Sequence, residues 1–522
     1  MLRNGYGDRV VRPTAQRNPL AHLTFPRITG TDVVAGASVA MVLIPQSLAY
    51  AELAQLPPYI GLFASSFPLL IFALLASSPY LQTGPVAVTS LLTIAALSDV
   101  EPTQLPAIAA LMAFLVGALR LAFGVLGLGK VVELMASPVV MGFTSGAAVV
   151  IMASQLPKAL GASPPDGGVL SEAAWALAHP GQWLTAAVVL SLVTLALFMG
   201  GRKVSPLFPG VLFAVIIGIV YSRTSGYPGT KIDDIPEGLP AFSVDLPWGQ
   251  IPTIALGALI IALIGFAEPA SIARTFANET GERWNANQEM VASGMANFVA
   301  SFCGAYPVGG SFSRSSINRL AGAKTRWSGG ITGLIVLAFL PFAGVLEPLP
   351  TAVLGAIVLG AVSSLVKPLR LARLWKRSKR QAFLAWSTAA ATLIFTPRVE
   401  RAVLLGIALT FIVHFGRKFT MSQQTDADGS IVVLPEGVMW MATDAAFAEG
   451  LRNAIDVSTG NVTVDLTSTP FLNDAAIDAM RSAATELAER GDVLDWSHAP
   501  EGSERMLKSV HPAAADDDPA AN

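Results

Sequence analysis

The chain has little cysteine, histidine or charge. Its one cysteine, Cys303, excludes an intramolecular disulfide and a CxxC metal site. The five histidines lie far apart and form no HExxH pattern, which argues against structural zinc. Asp, Glu, Lys and Arg make up 13% of the residues, against about 25% in soluble domains. That excludes a disordered chain, a nucleic-acid binder with a basic stripe and an ordinary soluble enzyme. The first 27 residues carry five arginines and no apolar h-region, so they are not expected to form a cleavable secretory signal. There is no nucleophile–base pair, phosphate loop or metal cluster, so neither an enzyme nor a cofactor is expected.

What is present is apolar. Hydrophobic residues fill 52% of the 522 positions, and the mean hydropathy is +0.56. This indicates a polytopic membrane protein whose first partner is the lipid bilayer. Apolar runs fall at 31–51, 59–77, 84–98, 104–125, 131–154, 182–200, 206–222, 251–273, 287–305, 311–322, 328–346, 350–366, 381–396 and 401–416. That gives 14 candidate spans, of which 84–98 and 311–322 are short and interrupted. Basic residues follow the even-numbered spans: Lys130, Arg202 and Lys203, Arg274 and Arg283, Lys324 and Arg326, a cluster from Lys367 to Arg380, then Arg417 and Lys418. The opposite loops carry Asp99, Glu101, Asp233, Asp234, Glu237, Asp245 and Glu347. By the positive-inside bias both termini are cytoplasmic, which implies a multi-pass protein of the plasma (inner) membrane.

Charge also divides the chain. Residues 417–522 hold 7 Lys/Arg and 18 Asp/Glu, a balance of −11, while residues 1–416 balance at +9. The expected organisation is a cytoplasmic N-terminal segment at 1–27, a transmembrane domain at 28–416, a small α/β domain at 417–511 and a disordered tail at 512–522. Within the α/β part, 431–434 and 462–466 read as strands and 442–456 and 474–490 as amphipathic helices. That alternation implies a partly parallel sheet covered by helices.

Fourteen spans make seven plus seven. An odd number per half inverts the second half, giving an inverted repeat. Both halves carry matching interruptions. Pro45-Gln46-Ser47 lies in span 1 and Glu268-Pro269-Ala270-Ser271 in span 8. Two spans further on come Thr83-Gly84-Pro85-Val86-Ala87 and Pro307-Val308-Gly309-Gly310-Ser311-Phe312-Ser313. Paired breaks of this kind point to a transporter's binding site. Short helices starting near Pro85 and Ser311 would aim their N-termini at one another. Each carries about half a positive charge and unpaired N–H groups, so together they would form an anion cradle. Pro85 suits a first helical turn. Ser311 and Ser313 add hydroxyls, and Arg314 adds a full charge. Packing kinks are the competing explanation of such breaks, but one that fits two matched positions poorly.

Ionisable residues inside spans are costly and default to function. Glu268 is the candidate for binding a proton or sodium ion; a structural pair with Arg314 is the alternative. Glu52 is either functional or solvated at the outer end of span 1. Asp32 and Arg120, near span ends, are expected to snorkel. Gln46 and Tyr50, one turn apart, share a helix face that lines either the pocket or a neighbouring helix.

These residues resemble the sulfate permease (SulP) family of anion transporters. The match runs through Ile44-Pro45-Gln46-Ser47-Leu48-Ala49-Tyr50-Ala51, Leu56-Pro57-Pro58-Tyr59-Ile60-Gly61-Leu62 and Gly84-Pro85-Val86-Ala87-Val88. It continues in Gly265-Phe266-Ala267-Glu268, Asn287-Gln288-Glu289, Gly309-Gly310-Ser311-Phe312-Ser313-Arg314-Ser315 and Gly322-Ala323-Lys324-Thr325. The resemblance implies an all-α membrane domain of 14 segments in a 7+7 inverted repeat, divided into core and gate. It also implies a cytoplasmic α/β STAS domain and a homodimer. The implied anion contacts are Gln46, Tyr50, Pro85, Val86, Ala87, Gly310, Ser311, Phe312 and Ser313. Glu268 and Arg314 match the family's acidic and basic positions, whereas Glu52 lies outside its motif. In the related anti-sigma-factor antagonists a phosphorylatable serine stands where this chain has Asp474, within Leu472-Asn473-Asp474-Ala475, so phosphorylation there is not expected.

The leading function is secondary active transport of a small anion by alternating access. The substrate class is dicarboxylate, sulfate, bicarbonate or chloride, and proton or sodium symport offsets the membrane potential. A nucleobase transporter of the same architecture and an anion channel are the alternatives.

Overall fold

The computed structural model describes residues 26–129, 137–205, 207–232, 234–280, 284–366, 368–377, 379–415, 420–425, 430–436, 441–469, 472, 474–499, 503, 507 and 510. Several sequence expectations lie outside these residues: most of the N-terminal segment, Lys130, Asp233, Arg283, Lys367, Arg417, Lys418, Asn473 and the tail. The chain forms two compact units, divided after Ala408.

The first unit is helical. It comprises α1 Gly30–Leu53, α2 Tyr59–Ala64, α3 Phe67–Leu75, strand β1 Thr83–Gly84, α4 Ala87–Ala96, α5 Leu105–Val125, α6 Ser137–Leu160, α7 Val169–Ala178, α8 Thr185–Leu195, α9 Gly201–Val204 and α10 Gly210–Ser225. The second half follows with α11 Ile251–Thr280, α12 Ala286–Phe302, β2 Gly309–Gly310, α13 Phe312–Leu320, α14 Trp327–Phe339, α15 Thr351–Ser363, α16 Pro368–Arg377, α17 Lys379–Ile394 and α18 Glu400–Phe415. Each expected apolar run overlies one or two of these helices. Among the described residues, five helices are long and apolar enough to cross a bilayer by length and composition. Helices α7, α9 and α16 are additions that the apolar runs did not reveal.

Local chemistry sets several helix ends. Thr29 caps α1 in a capping box with Asp32. Asn285 caps α12, its side chain accepting from Asn287 and Gln288 N–H. The run at 59–77 breaks into α2 and α3 at Ser65 and Ser66, whose hydroxyls turn back onto the Gly61 and Phe63 carbonyls.

Two ionisable residues correct the sequence reading. Asp32 does not snorkel but is fully buried. Its carboxylate accepts N–H bonds from Lys324 and Thr325, both at 2.8 Å, and the Thr325 hydroxyl at 2.9 Å. Arg120 is also fully buried. Its guanidinium donates to the carbonyls of Ile261, Ala262 and Val308 and to Ser293 Oγ. Both charges are tolerated because distant segments satisfy their hydrogen bonds.

The division falls within α18, and beyond that helix the second unit holds a four-stranded sheet with two helices. Strands β3 Thr420–Thr425, β4 Ile431–Glu436, β5 Val462–Asp465 and β6 Leu494–Ser497 lie in that order. The pair β3–β4 is antiparallel, while β4–β5 and β5–β6 are parallel. Helices α19 Met441–Val457 and α20 Asp474–Arg490 are the crossovers of the parallel strands. Ile431, Val433, Phe447, Leu451, Val462, Val464, Ile477, Met480 and Leu494 form its core. Strand β3 escaped the sequence reading because its Thr-Met-Ser-Gln-Gln-Thr sequence is polar, and β6 because its Leu-Asp-Trp-Ser sequence has none of the β-branched valines and isoleucines that mark β4 and β5.

Candidate functional site

The two Gly/Pro interruptions meet. Strands β1 and β2 pair antiparallel, with Thr83 opposite Gly310 and Gly84 opposite Gly309. The Ser311 N–H donates to Gln82 O at 2.9 Å, and the Thr83 hydroxyl donates to Gly309 O at 3.2 Å. A two-residue ladder is marginal alone, so the surrounding helices hold it. Gly84 has φ of 132°, a conformation that glycine supplies at little cost. Gly310 packs against α11, where an added Cβ would lie 2.8 Å from Pro269 Cβ. A side chain at either position would disturb the crossing.

Helices α4 and α13 start at this crossing. Val86, in extended backbone, precedes α4, and no side chain caps that helix. Ser311 precedes α13 and accepts the Arg314 N–H at 3.5 Å, while its oxygen lies 3.4 Å from Ser313 Oγ. Pro85, Ala87, Gly310 and Ser311 are buried, and Val86 and Ser313 are half-buried. Phe312 differs: its ring is 53% exposed and stacks on Phe276 with centroids 6.4 Å apart.

Arg314 joins the two breaks. It is fully buried and donates from Nη1 to Pro85 O at 2.8 Å. Its Nε and Nη2 have no hydrogen-bond partner. Tyr50, Tyr306 and Glu268 all lie within electrostatic reach of the guanidinium. Glu268 is half-buried on α11, next to the Pro269 that supports Gly310. Gln46 is fully buried on α1, and neither its Oε1 nor its Nε2 has a partner. Along the same face, Leu43 approaches the Gly84 position and Tyr50 approaches Arg314. The structure therefore brings Gln46, Tyr50, Glu268 and Arg314 to the two helix starts. It separates Glu52, which pairs with Lys158 Nζ of α6 at 2.7 Å.

Sequence reasoning missed several supporting residues. The Tyr306 hydroxyl lies 3.2 Å from Ser90 Oγ. Ser315 Oγ accepts the Gln82 N–H at 2.9 Å. Asn297 brackets Val308, its Oδ1 accepting the Val308 N–H and its Nδ2 donating to the Val308 carbonyl. A buried tyrosine inside the Tyr306-Pro307-Val308-Gly309-Gly310 break was the one available signal.

Chemically, uncapped helix N–H groups, a guanidinium with unused donors and a free amide all favour an anion or a polar neutral molecule. Among the described residues, no group of three or more His, Cys, Asp or Glu could hold a metal ion.

Comparison with known proteins agrees with this chemistry. The family model described as "Sulfate permease family" matches residues 30–388. "Sulfate transporter 4.1, chloroplastic" of Arabidopsis thaliana is 33% identical, over 73% of this chain and 58% of its own length. The chain thus spans little more than half of that relative. "Probable sulfate transporter 4.2" of the same plant is 30% identical over 90% of this chain and 76% of its own. A probable sulfate transporter of Mycobacterium tuberculosis is also 30% identical, over 92% and 91% of the two chains. In fold, the chain is similar to the inward-facing murine Solute Carrier 26 family member A9 anion transporter. The TM-score is 0.72 at 20% identity, covering 93% of this chain and 88% of that one. It is also similar to the transmembrane domain of the cyanobacterial bicarbonate transporter BicA, at TM-score 0.64 and 24% identity over 72% of this chain and 97% of that one. The match over residues 30–388, covering both helix breaks and the crossing they form, makes this chain a member of the sulfate permease family of membrane transporters.

Proposed function

We propose that the protein is a secondary active transporter of a small anion, bound between the starts of α4 and α13. The observation that carries this reading is the set of unused donors at the crossing. Arg314 Nε and Nη2 and the Gln46 amide are buried without partners. A buried donor without a partner costs about 1–3 kcal/mol. An anion lying against Tyr50, Pro85, Val86, Ala87, Gly310, Ser311 and Ser313 would supply the missing acceptors. Phe312 would flank the entrance through its exposed ring. The names of the relatives support sulfate; bicarbonate, chloride and dicarboxylates share the chemistry.

In this reading the membrane unit has 14 spans in two inverted sevens, with α1 to α5 and α11 to α14 as the core and the remaining helices as the gate. Both termini are cytoplasmic, the sheet unit is a STAS domain at the interface of a homodimer, and Asp474 leaves that domain without the phosphorylatable serine. Moving an anion inward against an inside-negative potential costs about 2.3 kcal/mol per charge per 100 mV. Proton or sodium symport through Glu268 offsets that cost. Glu52, engaged by Lys158, balances charge without coupling.

Radiolabelled uptake into proteoliposomes, with and without proton and sodium gradients, tests the proposal. Arg314→Gln should reduce uptake of every anion taken up, and Glu268→Gln should remove the dependence on the coupling gradient. A linear current without saturation would make the protein a channel. Unchanged coupling in Glu268→Gln would remove that residue from the role.

A further inference from the structure

Beside the crossing lies a second buried cation that the anion-binding reading does not use. Arg120 of α5 is fully buried. It donates from Nε to Ala262 O at 3.2 Å, from Nη2 to Ile261 O at 3.0 Å, and from Nη1 to Ser293 Oγ at 2.9 Å and Val308 O at 3.0 Å. Every partner is a neutral oxygen. Among the described residues no carboxylate hydrogen-bonds to it or forms an ion pair with it.

Its position is specific. A Cβ on Gly265 would lie 2.5 Å from Arg120 Nη2 and 3.2 Å from Thr89 Cγ2 in the first turn of α4. A Cβ on Gly309 would in turn lie 3.3 Å from Thr89 Cγ2 and from Val86 Cγ2. Arg120 therefore stands directly behind the ladder, holding the residue that leads into β2. Asn297 fixes the same residue from α12, donating to Val308 O at 3.1 Å and accepting its N–H at 2.9 Å. An unpaired ion is expensive to bury, and neutral dipoles offset only part of that expense. A glutamine amide or a single water could donate only two of these four bonds, so the guanidinium both serves the four oxygens and leaves its charge in the interior. A charge retained here has an electrostatic consequence at the crossing.

We propose that Arg120 is a positioning and specificity-determining residue, a rear cation whose uncompensated charge raises the preference of the site for divalent over monovalent anions. The inference rests on the anion-binding reading above. Arg314 meets the anion with free N–H groups, whereas Arg120 acts through the field and through the Val308 carbonyl that it holds. Two residues of extended chain, Gly309 and Gly310, separate Val308 from Ser311, a span of about 10 Å, and that span is taken as the scale of the distance from the charge to the anion. At an effective dielectric constant of about 20, one more unit of anion charge then gains roughly tenfold in affinity.

The test is an anion titration of the purified full-length protein, followed by thermal shift. Chloride and nitrate are the monovalent probes, and sulfate and oxalate the divalent ones. Arg120→Gln should lower the divalent-to-monovalent affinity ratio roughly tenfold. Arg120→Lys should keep most of the ratio, since the charge stays. Ser293→Asp gives an independent route, placing a carboxylate where Ser293 Oγ now meets Nη1 and neutralising the guanidinium with its other bonds intact. A purely structural Arg120 would weaken all four anions equally. A ratio unchanged in folded Arg120→Gln or Ser293→Asp overturns the proposal, as does an equal loss in Arg120→Lys. If Arg314→Gln leaves every affinity unchanged, the anion-binding reading itself fails. If Arg314→Gln weakens all anions while the ratio ignores Arg120, only the present inference fails.

Discussion

Replacing Gln46 with Met should make the protein more stable and a poorer transporter. The side chain is fully buried, and both its amide nitrogen and its amide oxygen lack partners. Folding therefore strips water from the amide and returns nothing, which costs about 1–3 kcal/mol. Methionine has nearly the same length and a good helix propensity, and it leaves no polar atom unmatched. Unfolding of the ligand-free Gln46→Met protein should shift upward by up to that amount. If the amide hydrogen-bonds the anion, the lost bond is worth about 0.5–1.5 kcal/mol, or roughly 2- to 12-fold in affinity. Two assays give opposite signs: thermal unfolding in detergent without substrate, and half-saturation of uptake in proteoliposomes. A protein that melts lower and transports unchanged would show that Gln46 is a packing residue, and the reasoning from unused donors would fail.

Gly310→Ala should abolish transport while the protein still inserts in membranes, because the new methyl would stand 2.8 Å from Pro269 Cβ and force α13 away from α11; binding and uptake of labelled anion check this. Asp32→Asn should destabilise the membrane unit by about 1–3 kcal/mol, since one carboxylate serves the Lys324 and Thr325 N–H groups and the Thr325 hydroxyl; the check is thermal unfolding, with anion affinity expected to stay constant. Lys158→Met should destabilise more than the double replacement Lys158→Met with Glu52→Gln, because the single change strands a largely buried carboxylate. Equal melting of the two proteins would show that the pair contributes little, as for an exposed ion pair.

The helix breaks were legible because glycine and proline interrupt a membrane helix for reasons visible in one dimension. Pro85 has no N–H to give to a ladder of i to i−4 bonds, Gly309-Gly310 weakens one, and Ser311 is a natural cap. The apolar runs were equally plain, since bilayer thickness sets their length. Strands β4 and β5 followed from their valine and isoleucine. Helix α16 stayed hidden because its Leu, Trp and basic residues read as a loop cluster.

Apolar stretches, the weak points of the helix ladder and the acidic end can all be read along the chain, because each property depends on neighbouring residues alone. Which ions are buried depends on packing. Asp32 and Arg120 sit near the ends of apolar runs, where a long or hydrated side chain could reach water. Their actual partners lie up to 293 residues away, at Thr325 for Asp32, and at Ala262, Ser293 and Val308 for Arg120. An ion stays in a low-dielectric interior only when such partners converge on it, and that convergence is a property of packing that no local pattern carries.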